Sequence, residues 1–383
     1  MQALLTNRVD CDRMYVNPIR KGSAMKELNI RTLTEALDTT AEADLASANI
    51  GGASLAVIQH GDVVYKNYFG NAKPDSVYRL ASMTKPITAV AALILMERGK
   101  LKLTDKVSDF LPGYAEMHLE DGTPVKTPIT LLHLLTHTSG METGPLGQRQ
   151  LAEMPKEANG TLAAAVECYA GMALSFEPFT AASYSGVGAF DVIARMVELA
   201  SGKSYADFIR EEITEPLGMT DTAFVPTDEQ WARMIPMHNK VDDKSVFVER
   251  PAGCLFQSTP VTHTLGGAGL ASTLDDYIRF AMMLKDGGTP ILSEASVRAM
   301  GTPHVPESMK TGGERWGLGV RVITGENNLP IGAFGWSGAY GTHFFIDPEN
   351  DIAAVYMKNS LYDGGSGAAT SWHFERNIMR SLG

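Results

Sequence analysis

The chain has 383 residues, 44% hydrophobic and 20% charged, the composition of a folded, soluble protein with two domains or one large one. Its 44 acidic and 33 basic side chains leave a formal charge of −11, which argues against nucleic acid or any other polyanion as the main partner. Three widely spaced cysteines, Cys11, Cys168 and Cys254, support neither a disulfide framework nor a cysteine-based zinc site and suit reduced thiols in a cytoplasmic protein.

No run of about 18 apolar residues occurs, so no membrane span is expected, and the N-terminus lacks the basic-then-apolar pattern of a secretory signal. Residues 1–24 read as a poorly structured leader, with Met25 as the natural beginning. Leu33, Leu37, Ala41 and Leu45 then recur every fourth residue, the spacing of an amphipathic helix. "ASLAVIQHGDVVYKNYFG" reads as two β-rich runs around a turn at His60-Gly61-Asp62. "TKPITAVAALILMERG", from Thr84, is apolar on nearly every side and reads as a buried helix that stops at Gly99.

The middle of the chain is mostly helical. Ile129 to His137 and Asp191 to Ala200 are apolar helical runs, and Ser204-x-x-Asp207 has the form of a capping box for a third helix with Phe208, Ile209 and Ile213 inward. A Gly-rich turn from Gly266 leads into another helix, and "HFFIDPENDIAAVYMKN" is again two apolar runs around a turn. A last helix carries Phe374, Ile378 and Leu382 on one face. Hairpins at both ends can share one antiparallel sheet only if the ends of the chain meet. The expectation is therefore a discontinuous α/β domain (25–100 and 260–383), a mainly helical domain (101–259) and a ligand cleft where they join.

"RLASMTKPIT", from Arg79 to Thr88, places Ser82 and Lys85 three residues apart at the head of the buried helix. The spacing is common; a second copy, Ser23-Ala-Met-Lys26, lies in the leader. Ser82 as a helix cap and Lys85 as a charge that reaches solvent is the usual meaning. The alternative is a nucleophile and its proton acceptor. Pro86 is tolerated only near a helix start, which puts Ser82 at the N-terminus, where the helix dipole favours developing negative charge. A lysine is the wrong charge for that end, and burying it is costly unless it is hydrogen-bonded. A free lysine titrates near 10.4, so a third group is expected to help.

Together with "ITLLHLLTHTSG", "YSGVGAFDVIARMVELASGKSYADFIREEITEPLGM", "GGAGLASTLDDYIRFAMMLKDGG" and "WGLGV", this segment resembles the serine β-lactamase and penicillin-recognising superfamily. The resemblance is greatest to its class C β-lactamase-like esterases, the family VIII carboxylesterases, and runs in order from about Leu33 to the C-terminus. It implies an α/β (α+β) fold of β-lactamase/transpeptidase type, with an antiparallel sheet flanked by helices and a mainly helical domain. It also implies that Ser82 accepts the acyl group, that Lys85 relays its proton and that Tyr184 of Tyr184-Ser185-Gly186 is the general base and later acid. Taken alone, Tyr184 reads as a half-buried tyrosine. Trp336-Ser337-Gly338 stands where β-lactamases have Lys-Thr-Gly, just before an expected strand from Thr342 to Asp347, and by analogy the N–H groups of Ser82 and Ala339 form the oxyanion hole.

Two departures bear on the substrate. Gly186 replaces an asparagine that would read an amide, and Trp336 replaces a lysine that would attract a carboxylate, which shifts the preference towards neutral esters. "GWSGA" and "GGSGA" approach a nucleophile elbow but end in alanine, and Ser337 is expected to lead into a strand rather than a helix. His133 and His137 lack an intervening glutamate or third ligand, so hydrogen bonding at a helix end is expected and no metal. The sequence thus predicts a cofactor-free serine esterase acting on a small-molecule ester, as a monomer or homodimer. A β-lactamase, a D-amino-acid amidase or peptidase, an acyltransferase and a non-catalytic penicillin-binding sensor module are the alternatives.

Overall fold

The structure, a computed structural model, describes residues 25–249, 255 and 263–383. The expected leader, Cys254 and part of the loop after Val248 lie outside the described residues. The first elements are α1 (Ile30–Ala46), β1 (Gly52–Gln59), β2 (Asp62–Gly70), β3 (Val77–Arg79) and α2 (Thr84–Glu97). A helical stretch follows, with α3 (Val107–Phe110), α4 (Leu131–Leu135), α5 (Pro145–Ala152), α6 (Leu162–Ala170), α7 (Gly188–Ser201), α8 (Tyr205–Ile209) and α9 (Asp228–Ala232). Next come β4 (Met237–Val241), β5 (Lys244–Val248), β6 (Ala271–Thr273), α10 (Leu274–Lys285) and α11 (Glu294–Met300). The chain closes with β7 (Glu314–Trp316), β8 (Arg321–Ile323), β9 (Phe334–Ser337), β10 (His343–Asp347), β11 (Ile352–Met357) and α12 (Ala369–Arg380).

Seven strands form one antiparallel sheet in the order β2-β1-β11-β10-β9-β8-β7. The β1–β2 hairpin turns through His60 and Gly61, both at positive φ, as tight hairpin turns require. Strand β1 also pairs with β11, from Ser54 opposite Met357 to Gln59 opposite Ile352, and so brings the two ends of the chain together. Successive side chains of a strand point to opposite faces. Phe344, Ile346, Ala353 and Val355 face a core shared with α2 and α10, where Tyr277 and Phe280 meet the Phe344 ring edge-on. Phe345, Ile352, Ala354 and Tyr356 face α1 and α12, against Leu33, Leu37, Phe374 and Ile378. With both faces covered the central strands β1, β10 and β11 are buried along their whole length and mostly apolar, and each fully buried large side chain contributes about 1.5–3 kcal/mol.

Helix α7 packs against α2, α4, α6 and α8, and Ala189, Phe190, Ile193, Met196 and Val197 are buried there. The two-stranded pair β3–β6 ties the segment before Ser82 to residues 271–273. Three details differ from the sequence expectation. The strand expected from Thr342 to Asp347 is β10, His343–Asp347, but Ser337 is itself the last residue of a further strand, β9, and a turn separates the two. Strands β7, β8 and β9 extend the sheet although no long apolar run announces them. At Ser204 the capping box is half formed: its Oγ accepts the Asp207 N–H at 3.1 Å, while the Asp207 carboxylate takes the Ser204 hydroxyl at 2.6 Å.

Helix α12 is fixed by two buried ion pairs. The Asp363 carboxylate accepts the N–H groups of Ala369 and Thr370 and pairs with the buried Lys358 ammonium at 2.9 Å. Glu375 pairs with Arg321 of β8, both almost fully buried. Burial alone would raise both carboxyls; Lys358 and Thr370 hold Asp363 down at about 2, and His343 and Arg321 hold Glu375 at about 2. A depressed native value means that the unfolded chain, titrating near 3.8 and 4.5, binds more protons in acid. Stability is therefore full above about pH 5 and falls as the pH drops towards 2, by a few kcal/mol from these two groups. Urea unfolding measured from pH 7 to pH 3 should show this loss, and Glu375→Gln should flatten it while lowering stability at pH 7.

Candidate active site

Ser82 stands on a single turn, Ala81–Met83, between β3 and α2. Ala81 is held at φ +47, a left-handed conformation that costs a non-glycine residue about 1–2 kcal/mol. This backbone delivers Ser82 to the positive end of α2 without making it a cap, since neither end of the turn carries a side-chain cap. Pro86 is the third residue of α2, where its missing N–H leaves no gap in the helix. The Ser82 hydroxyl instead accepts the Tyr184 hydroxyl at 2.7 Å and the Lys85 ammonium at 3.3 Å.

Lys85 does not reach solvent; it is 0% exposed. Its Nζ donates to the carbonyl oxygens of Gly186, at 2.6 Å, and Gly267, at 2.9 Å, as well as to Ser82. An ammonium has three donors, and all three are used. None of these partners is a carboxylate. The faces of Tyr184 and Phe190 lie 5.0 and 5.3 Å away and add cation–π attraction. A Cβ on Gly267 would fall 3.1 Å from Nζ, so glycine there lets the backbone approach the charge.

Tyr184 is held through its own backbone. Thr143 donates both its N–H, at 3.1 Å, and its hydroxyl, at 2.9 Å, to the Tyr184 carbonyl, and accepts the Gly186 N–H at 3.2 Å. The Tyr184 ring packs among His137 (4.7 Å between centroids), Trp336 (5.3 Å) and Trp316 (6.1 Å). His137 accepts the Ser185 N–H on Nδ1 at 3.0 Å. Burial, with Lys85 nearby, pushes His137 well below its ordinary 6.5, so it is a neutral ring with its proton on Nε2. His133 likewise accepts a backbone N–H, that of Thr130, at the start of α4.

Trp336, Ser337 and Gly338 end β9 beside this cluster. The turn from Gly338 to Thr342 is closed by Gly338 N–H to Thr342 O (2.7 Å) and rests on the segment before Ser82, through Thr342 Oγ1 to Leu80 O (2.9 Å). A Cβ on Gly338 would lie 2.2 Å from that same Leu80 oxygen. Tyr340, Ala81 and Met237 pack together, and Ala339 is exposed at the tip, its N–H without an acceptor among the described residues. The Ser337 hydroxyl is bonded to His343 Nδ1 at 2.9 Å.

Ser82, Lys85, Tyr184 and Gly186 thus meet directly, and the turn 336–339 packs beside them. The sequence reading did not single out Thr143, Gly267 or Trp316, and treated His137 only as a helix-end group. Thr143 and Gly267 act through backbone contacts that residue type does not announce. Trp316 was visible in "WGLGV", but its ring partners were not.

Comparison with known proteins gives this arrangement a family. Residues 37–373 match the family model described as Beta-lactamase. Esterase EstB of Burkholderia gladioli is 28% identical, over 90% of this chain and 94% of its own. The lovastatin esterase of Penicillium rubens is 30% identical over 89% of each. Among solved structures, EstCE1, titled a hydrolase with promiscuous acyltransferase activity, superposes with a TM-score of 0.79 at 26% identity, covering 91% of this chain and 99% of its own. The chain belongs to the Beta-lactamase family, and with it to the serine hydrolases.

Proposed function

We propose that this serine hydrolase cleaves carboxylic esters of small to medium acyl chain through an acyl-enzyme on Ser82, as a family VIII carboxylesterase. The observation that carries this is the Ser82 hydroxyl in contact with both Tyr184, at 2.7 Å, and a lysine without access to water. For this step Tyr184 acts as the phenolate, held by the Lys85 charge: Ser82 Oγ attacks the ester carbonyl while its proton passes to the Tyr184 oxygen, which reverses the direction of the 2.7 Å bond. Tyr184 returns that proton to the leaving alcohol. Water then attacks the acyl-enzyme from the vacated side, gives its proton to Tyr184, and the Ser82 oxygen recovers one as the acid departs. The N–H groups of Ser82 and Ala339 hold the oxyanion in both steps, which is worth several kcal/mol in a dry site. No step calls for a metal or cofactor. A cytoplasmic setting, as monomer or homodimer, belongs to the same proposal.

The preference for esters rests on the walls. Trp336 and Gly186 present no cation and no side-chain amide, and EstB and the lovastatin esterase carry esterase names. With p-nitrophenyl butyrate, nitrocefin and a D-Ala peptide assayed side by side, the butyrate should turn over fastest. Ser82→Ala should abolish that turnover, and Tyr184→Phe and Lys85→Met should each lower kcat by about 10²–10⁴. Faster nitrocefin turnover, or full activity in Ser82→Ala, would overturn the proposal.

Gly186 has a steric reason as well. A Cβ there would stand 3.0 Å from Thr143 Cγ2 and 3.3 Å from its Oγ1. Restoring the amide by Gly186→Asn should therefore push Thr143 off the Tyr184 carbonyl. Ester kcat should fall by about tenfold or more without a gain in nitrocefin hydrolysis. A gain in nitrocefin turnover with ester turnover intact would contradict this account.

A further inference from the structure

The last residue pair of the β9–β10 ladder is Ser337 opposite His343, the rung that closes the turn carrying Ala339. Behind it a chain of polar groups runs out of the sheet into α12. Ser337 Oγ meets His343 Nδ1 at 2.9 Å, His343 Nε2 meets Glu375 Oε1 at 3.2 Å, and Glu375 meets Arg321. Ser337, His343, Glu375 and Arg321 are 3%, 0%, 1% and 4% exposed, so this is a fully desolvated network in an otherwise apolar face of the sheet. Backbone pairing already fixes β10 between β9 and β11, so the strands do not need these side chains to find their neighbours.

Two of these links, Ser337–His343 and Arg321–Glu375, are hydrogen bonds, and His343 Nε2–Glu375 Oε1 is a contact at ion-pair distance whose angle falls short of a hydrogen bond; charge sets the polarity along the chain. Glu375 stays ionised beside Arg321, and burial pushes His343 below its ordinary 6.5 despite that carboxylate, so the imidazole is neutral. The single ring proton then sits on Nε2, facing Glu375, and Nδ1 offers only a lone pair. The Ser337 hydroxyl is left as the donor. The order serine, histidine, glutamate is that of a hydrolytic triad, but Ser337 is buried at a strand end and has no access for an acyl group. Its hydroxyl is an anchor rather than a nucleophile.

We propose that Glu375, acting through His343, is a positioning residue for the active site: it fixes the Ser337 hydroxyl and thereby the turn that presents the Ala339 N–H to the oxyanion. The proposal rests on the oxyanion role assigned above to Ala339. From the other side the same turn is held by Gly365 N–H to Gly338 O (2.9 Å) and Ser360 N–H to Tyr340 O (2.8 Å). The polar chain supplies the missing constraint on the Ser337 side and makes the C-terminal helix part of the catalytic geometry. Loss of any link should loosen the turn by the fraction of an ångström to which oxyanion stabilisation is sensitive.

The test compares an ester with its thionoester, whose sulfur accepts hydrogen bonds poorly, each rate taken relative to alkaline hydrolysis. Ser337→Ala, His343→Gln and Glu375→Gln are measured singly, with Ser337→Ala/His343→Gln as the double variant. Each single variant should lose about tenfold in kcat with KM within about twofold, and the ester-to-thionoester preference should shrink by a similar factor. The double variant should lose little more than either single one, because the links act in series. Ser337→Ala is small enough to keep the fold, and its Tm is recorded alongside. If it keeps the wild-type kcat and ester preference, the positioning role is wrong while the oxyanion hole stands. If the wild-type protein itself shows no preference for the ester, the oxyanion role of Ala339 fails and the positioning role falls with it.

Discussion

The Lys85 ammonium is closed off from water and must be satisfied by the protein. Bringing an ammonium out of water costs several kcal/mol even after relaxation, and here no carboxylate takes part in offsetting it. Two backbone carbonyls and the Ser82 hydroxyl do so instead, and they come from three distant parts of the chain. The head of α2, the segment before α7 and the Gly-rich turn before β6 must therefore converge on one point. Glycine at 267 allows the close approach, and Asp191 of α7 holds the Gly-rich turn by accepting the Gly266 N–H at 2.7 Å. Much of the helical packing around α2 and α7 can be understood as the frame that keeps these oxygens on the ammonium.

The sheet contributes the other half of the site. Its central strands are covered on both faces, and the turn after β9, at the end of the strands, carries the polar backbone that faces the Ser82 segment. The turn after β9 rests on the Leu80 carbonyl, so nucleophile and turn are held against each other rather than independently. Ala81 in its left-handed conformation sits at that junction and packs on Tyr340. Strain at such a position persists because the surrounding contacts leave the backbone no alternative.

The parts of this arrangement that were legible in the sequence are those written in side-chain type and period. The four-residue repeat of α1, the apolar runs paired around turns at both ends and the apolar run behind Ser82 each follow from burial of one face or of all faces. Ser82, Lys85 and Tyr184 were legible through the order of motifs, and Trp336 and Gly186 as departures from them. What stayed hidden depends on register or on backbone atoms. The carbonyls that hold Lys85 belong to glycines, and Thr143 acts through the Tyr184 carbonyl. The Ser337–His343 rung needs the β9–β10 register, which a six-residue spacing does not reveal because strand β9 is only four residues long. The strand before the turn, β9, was not read from the sequence for the same reason.

A shared nucleophile and different walls explain how one family supports several acyl transfers. In the proposed mechanism Ser82, Lys85 and Tyr184 supply an activated hydroxyl, while Gly186 and the rings of Trp336 and Trp316 form the walls around it. The central claim is that the acyl group is taken by Ser82 and by no other serine. Labelling the folded protein with a fluorophosphonate and mapping the modified peptide tests this directly. The account predicts a single tag on Ser82, absent from Ser82→Ala; a tag on Ser337 or any other serine, or undiminished labelling of Ser82→Ala, would contradict it.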